Sequence, residues 1–250
     1  MRALLGKSSH TAIGVRCLRA TSRDARMGVV LIMGVDGAPR GWVGTVWNGI
    51  TLNVLYRTTL VELFEAAERP SIVAVDMPIG LVETGARRAE TSTRAFLGAR
   101  RSSVFPSPVR AVVVGSDYAD YPAANQLARG LAGKGLSRQS FALFPKIDEV
   151  ARWHESTDVT VCEVHPEVSF QALAGAPLQA SKKTPAGVAE RRRLLAGVGL
   201  LPNNQEGWGW ARIDDVLDAA VATWTARRIA DGSARSFPAD PGPGEPTIWA

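Results

Sequence analysis

The chain has 250 residues, 46% hydrophobic and 21% charged, with mean hydropathy near zero. This excludes a disordered or fibrous chain, and apolar runs such as Val29–Val35 fall far short of the roughly 18–20 residues of a membrane span. Net charge is +5, but six basic residues and one acid within residues 1–27 account for all of it, so residues 28–250 are balanced and the pI makes no case for nucleic acid.

Residues 1–27 are rich in Arg, Ser and Thr without an amphipathic period, and are expected to form a disordered extension. A secretory signal is disfavoured because Val29–Val35 runs into Asp36 without a small-residue cleavage site. Val29–Asp36 reads as a buried strand and Gly41–Trp47 as a second. Asn48-Gly49 reads as a hairpin turn into a third strand, Thr51–Tyr56. Thr58 or Thr59 can cap a helix to about Arg69, with Glu62 completing a capping box with Thr59, and Ser71–Asp76 reads as another buried strand. Residues 83–155 look like a large helical insertion, with helix expected around Glu90–Leu97 and Ala119–Leu131 and irregular turns at Phe105–Pro108. Then come a strand at Val159–Val164, a helix at Val188–Leu195 and a long helix at Ile213–Ile229. The stretch from Phe237 to Ala250 holds four prolines and by composition is a loose tail. Two cysteines, Cys17 and Cys162, with no CxxC pair, suggest neither zinc nor a disulfide framework and fit a cytoplasmic location.

The chemistry rests on carboxylates. Asp36 in Gly34-Val35-Asp36-Gly37 and Asp76 in Val73–Pro78 each end a buried strand, where α/β folds build ligand sites. Either alone is most simply a turn cap. Two on neighbouring strands would repel unless a cation or a proton lay between them, and a hard divalent ion is the natural partner. On the last helix, Asp214 and Asp218 are i,i+4 and Asp215 and Asp218 are i,i+3, beside an apolar stripe that includes Val216, Leu217 and Trp224. Favourable interaction with the helix dipole explains Asp214 and Asp215 well and Asp218 less well. In Glu163–Glu167, Glu163 is a further candidate ligand, and His165 is more simply structural than a base. Basic residues cluster at 87–110 and 182–193, which reads as a solvated face or as a polyanion-binding one. P-loop, Rossmann, zincin and GxSxG motifs are absent.

The order β-β-β-α-β, then β and an Asp-bearing helix, resembles the ribonuclease H fold: a mixed α/β sheet of three antiparallel strands followed by parallel ones, with flanking helices. More closely, the chain resembles a family of predicted ribonuclease H-like nucleases catalogued as a domain of unknown function. The resemblance is carried by Gly34-Val35-Asp36, Asp76–Gly80, Arg94–Gly98, Ser103–Pro106, Ser137-Arg138-Gln139, Pro145–Glu149, Glu163–Glu167, Ser181–Thr184 and Asp214–Ala219. In the family an Asp commonly stands four residues before the Arg at 94; here it is Glu90. The family's tail resembles the one ending Ile248-Trp249, which implies that this end docks on the body.

The resemblance implies a single domain over 28–250, with Asp36, Asp76 and Asp218 binding Mg²⁺ or Mn²⁺ and Asp215 or Glu163 completing a catalytic shell. It implies two-metal phosphodiester hydrolysis of DNA or RNA. The expected substrate-binding residues are Arg94, Arg101, Gln139, Lys146, His165, Lys182 and Lys183. Competing expectations are an actin-like-fold phosphotransferase or ATPase, which normally needs two core domains, and a non-catalytic nucleic-acid-binding domain. A homodimer is compatible with the sequence.

Overall fold

The computed structural model describes residues 30–202 and 205–250. The expectations for residues 1–27, for Val29 and for Cys17 lie outside the described residues. Strands β1 (Ile32–Ala38), β2 (Gly41–Trp47) and β3 (Leu52–Arg57) form the antiparallel meander that the sequence predicts. The Asn48 side chain closes the β2–β3 turn by accepting from the Ile50 and Thr51 N–H groups at 3.0 and 2.8 Å. Helix α1 (Leu60–Ala66) opens on the expected capping box: Glu62 N–H donates to Thr59 Oγ1 at 3.2 Å, and Thr59 N–H donates to Glu62 Oε2 at 3.1 Å.

β4 (Ile72–Val75) and β5 (Thr160–Val164) continue the sheet parallel to β1. The result is one seven-stranded mixed sheet in the order β3-β2-β1-β4-β5-β7-β6, with helices on both faces. The central strands are buried on both faces, so they read as unbroken apolar runs rather than alternating ones. Met33, Val35, Val73, Val75 and Val161 pack on one side with Leu63, Phe64, Ile147 and Val150. Ile32, Ile72, Ala74 and Val164 pack on the other with Ala222 and Ala226 of α9 (Ile213–Ala230).

Helix α9 rests directly on β1, and Gly34 is the reason. A Cβ there would lie 2.1 Å from Thr223 N and 2.2 Å from Ala219 O. Gly34 N–H donates to Thr223 Oγ1 at 2.9 Å, and the Thr223 and Thr45 hydroxyls are 2.6 Å apart. This closeness sets the depth of the aspartates on α9.

Residues 83–155 carry helices α2 (Arg88–Leu97), α3 (Arg110–Val114), α4 (Tyr121–Ala132), α5 (Arg138–Ala142) and α6 (Phe144–Ser156), with a 3-10 turn at Gly98–Ser103. Helices α7 (Pro166–Ala174) and α8 (Pro185–Gly197) precede α9. The loose-tail reading of the C-terminus does not hold. β7 (Ile248–Trp249) pairs parallel with β5 and antiparallel with β6 (Ser236–Phe237). Phe237, Ile248 and Ala250 pack with Leu97 and Val168, so a few apolar residues anchor a proline-rich stretch whose composition alone suggests no docking. Among the described residues, no helix is long and apolar enough to cross a membrane.

A candidate carboxylate site at the sheet's carboxyl edge

Asp36 lies near the end of β1, and Asp76 directly follows β4. The parallel register pairs Val35 with Val75 and continues with Asp76 N–H donating to Val35 O at 2.9 Å. The two aspartates therefore occupy adjacent positions on neighbouring strands, on the face that α9 covers. Asp218 comes down from α9 onto the same place. It is 1% exposed and Asp36 is 8% exposed.

Electrostatics bind the three together. Burial pushes the Asp36 carboxyl well up, and Asp76 and Asp218 push it further. Burial raises Asp76 to about 7 against the pull of Lys182. Asp218 is raised to about 6 by burial, opposed by Lys182 and reinforced by Asp76. Lys182, from the loop before α8, donates to Asp218 Oδ2. Burial works against its charge, but Asp218, Asp36 and Asp76 together hold its pKa above the ordinary lysine value. Half-buried Asp215 flanks the group, and its Oδ2 accepts the Arg212 N–H at 2.9 Å. It thus caps α9 while facing Lys182, so the dipole explanation and a site role coexist in one residue.

Among the described residues, no three His, Cys, Asp or Glu side chains are grouped as ligands of one metal ion. Asp36, Asp76 and Asp218 share a neighbourhood but are not closed around a common point. In this conformation the ammonium of Lys182 is the cation among them. The donor set nevertheless suits a hard divalent ion: it is all carboxylate, with Asp36 and Asp218 buried.

A pH dependence follows. A carboxyl whose folded pKa exceeds its unfolded value of about 3.9 favours folding while protonated. For Asp76 and Asp218, that contribution is complete below the unfolded value and is lost as pH rises through about 6 to 7. In EDTA, urea unfolding should show the stability of wild-type protein falling, relative to Asp76→Asn, across this window. A wild-type protein that gains on the variant with rising pH contradicts the site's charge state.

Of the other expected site residues, Glu163 stands apart. It pairs with Val75 in register, so it points to the opposite face from Asp76. Both its oxygens are engaged: Arg87 donates to them at 2.7 and 2.8 Å, and Ile79 N–H donates at 2.8 Å. Glu163 thus pins the Asp76–Ile79 turn and is not free to complete a metal shell. His165 does face Asp218 and Lys182. Burial keeps it neutral-leaning; its Nε2 lies 3.2 Å from Ser103 O, and its Nδ1 has no hydrogen-bond partner among the described residues. Lys146, on α6, lies against Gly37, donates to Gly41 O and stacks 4.0 Å from the Trp42 ring centroid, close enough to Asp36 to feel its charge. Arg94 is spent on Val104 O, with bonds of 2.9 and 2.6 Å. Arg101, Gln139 and Lys183 are exposed.

Part of each basic cluster is internal. Arg191 is fully buried and donates to Glu167 Oε2 at 2.7 Å, and Arg100 also pairs with Glu167. Arg87 is buried between Glu163 and Glu90. These were sequence candidates for a polyanion surface, and their carboxylate partners, mostly remote in sequence, remove them from it. Sequence reasoning missed Glu149, which accepts from the Trp42 indole at 2.9 Å and from Leu60 N–H at 2.6 Å and so steadies the strand beneath Lys146. Its signal was weak: one of three acids in a helix whose start is marked by Pro145 in the first turn.

Fold and site together define a mixed α/β protein with clustered aspartates, one of them paired with a lysine, at the carboxyl edge of its central strands. The chain belongs to the family described as protein of unknown function (DUF429), whose model matches residues 34–242. No curated protein and no solved structure matches the chain.

Proposed function

We propose that the chain is a ribonuclease H-like, metal-dependent nuclease that hydrolyses phosphodiester bonds of DNA or RNA. The observation that carries this reading is the meeting of Asp36, Asp76 and Asp218, from two strands and a helix remote in sequence, in one buried neighbourhood. Such a cluster is costly unless cations join it; Lys182 pairs directly with Asp218 alone, while Lys146 and Arg191 act on Asp36 and Asp218 from further away. The meander-then-parallel sheet with a final Asp-bearing helix supports the ribonuclease H-like assignment.

Asp36, Asp76 and Asp218 would hold Mg²⁺ or Mn²⁺, with Asp215 beside them. Two such ions would activate the attacking water and neutralise charge at the leaving oxygen. The chain's own part is to orient and to balance charge. Gly34 seats α9 so that Asp218 reaches β1. The Glu163–Arg87 pair fixes the turn bearing Asp76. Lys182, once released from Asp218, is left as a cation facing the substrate phosphate.

The test is cleavage of single- and double-stranded DNA and RNA by the purified chain with Mg²⁺, with Mn²⁺ and with EDTA. Cutting is expected only with an ion. Asp36→Asn should slow it by about a thousandfold or more, the equivalent of several kcal/mol of lost charge stabilisation. No cleavage of any substrate with either ion contradicts the reading.

A further inference from the structure

Seven tryptophans occur in the chain, and Trp210 alone among them is predominantly exposed, at 60%. It is also held in place. Trp208, two residues earlier, turns inward to pack with Val54, Val216 and Ala219. Gly209 between them has φ 55, and a Cβ there would strike the Tyr56 ring at 2.4 Å, so the backbone lies flat on that ring and sends Trp210 outward. The Arg40 guanidinium stacks over the Trp210 indole, 4.5 Å from the ring centroid. Arg40 sits after Pro39 in the two-residue β1–β2 turn with φ 60, a conformation such turns normally give to glycine.

An arginine held in a left-handed turn and a tryptophan left in water both run against stability, and strain of this kind gathers at functional sites. Both residues lie close to the carboxylates along the chain. Arg40 is four residues beyond Asp36, and Trp210 stands three before Ile213, where α9 with Asp215 and Asp218 begins.

We propose that Arg40 and Trp210 form a stacking platform for an unpaired nucleobase, so that the substrate of the proposed nuclease is single-stranded or locally opened nucleic acid. This rests on the nuclease reading and narrows its substrate. The chemistry of the pair suits that occupant: an exposed indole takes a base without regard to its identity, and the guanidinium beside it offers a cation to the phosphate. A base locked inside a duplex offers no face to it.

The experiment uses the full chain carrying Asp36→Asn, so that binding is read without cleavage. Fluorescence anisotropy follows a short labelled single strand, the same strand with abasic positions, and its duplex, in Mg²⁺. The intact strand should bind tightest, and Trp210→Ala should weaken that binding by about tenfold while leaving the abasic strand unchanged. Trp210→Phe should retain most of the affinity. Arg40→Gly separates function from folding: it relaxes the turn, so it should raise the melting temperature while weakening single-strand binding. Equal binding of intact and abasic strands, or no loss on Trp210→Ala, overturns the proposal. A wild-type chain that binds unpaired strands through Trp210 but cuts nothing supports the platform and refutes the nuclease. One that cuts without dependence on Trp210 supports the nuclease and refutes the platform.

Discussion

Replacing Arg87 with methionine is expected to cost about 3–5 kcal/mol of stability, because it leaves buried carboxylates without their cation. Arg87 is 3% exposed, with Glu163 at 5% and Glu90 at 4% around it. Its guanidinium bridges three partners: Glu90 at 2.8 Å, Ile79 O at 2.9 Å and both oxygens of Glu163. Burial already pushes the Glu163 carboxyl up, with Arg87 as the main force holding it down. Without Arg87, Glu163 takes up a proton or draws in water, and the turn after Asp76 loosens. Urea unfolding reads the loss. Glu163→Gln in the same background should recover part of it, since the stranded charge is then gone. A loss below about 1 kcal/mol for Arg87→Met, the size of an exposed pair, contradicts the buried network.

Gly34→Val is expected to cost about 3 kcal/mol or more, at the upper end for overpacking, because the obstacle is backbone rather than a yielding side chain. The Thr223 N and Ala219 O positions leave no room for a single added carbon. α9 has to lift from β1, and with it goes the hydroxyl chain from Gly34 N–H through Thr223 to Thr45. Asp218 is carried away from Asp36 by the same movement, so the proposed divalent-ion-dependent cleavage should fall with stability. Gly34→Ala should show a smaller loss in the same direction. An alanine variant as stable as the wild type would mean that α9 does not sit this close.

The two effects mark how far the sequence could be read. The β1–β2–β3 meander, the Thr59 capping box and the long helix bearing Asp218 were legible because each rests on local pattern: apolar runs, a turn dipeptide, a 3.6-residue stripe. Asp36 and Asp76 were legible as a pair because both end buried strands and neither is needed for the core. Glu163, a further candidate near the end of a strand, sits one register position off, and a one-residue change of register turns a side chain to the other face, a tertiary property. The basic clusters misled for a related reason. Arg87 and Arg191 are buried by carboxylates that composition does not connect to them. Lys182, expected from the sequence to hold substrate, pairs with Asp218 in the fold, a partner that the sequence does not connect to it. Helices α6 and α7 are not delimited by the sequence reading, although each carries proline in its first turn, a helix-start signal. The docked C-terminus was legible mainly through family resemblance, with the apolar Ile248-Trp249 as its one local sign, since two-residue strands have no periodicity.

The account turns on three aspartates acting as one ion site. Calorimetric titration of the full chain with Mn²⁺ tests it directly, without reference to any substrate. Binding by the wild type, lost in each of Asp36→Asn, Asp76→Asn and Asp218→Asn while their folds persist, is the expected result. A wild type that takes up no Mn²⁺, or an Asp36→Asn protein that binds it as the wild type does, contradicts the account.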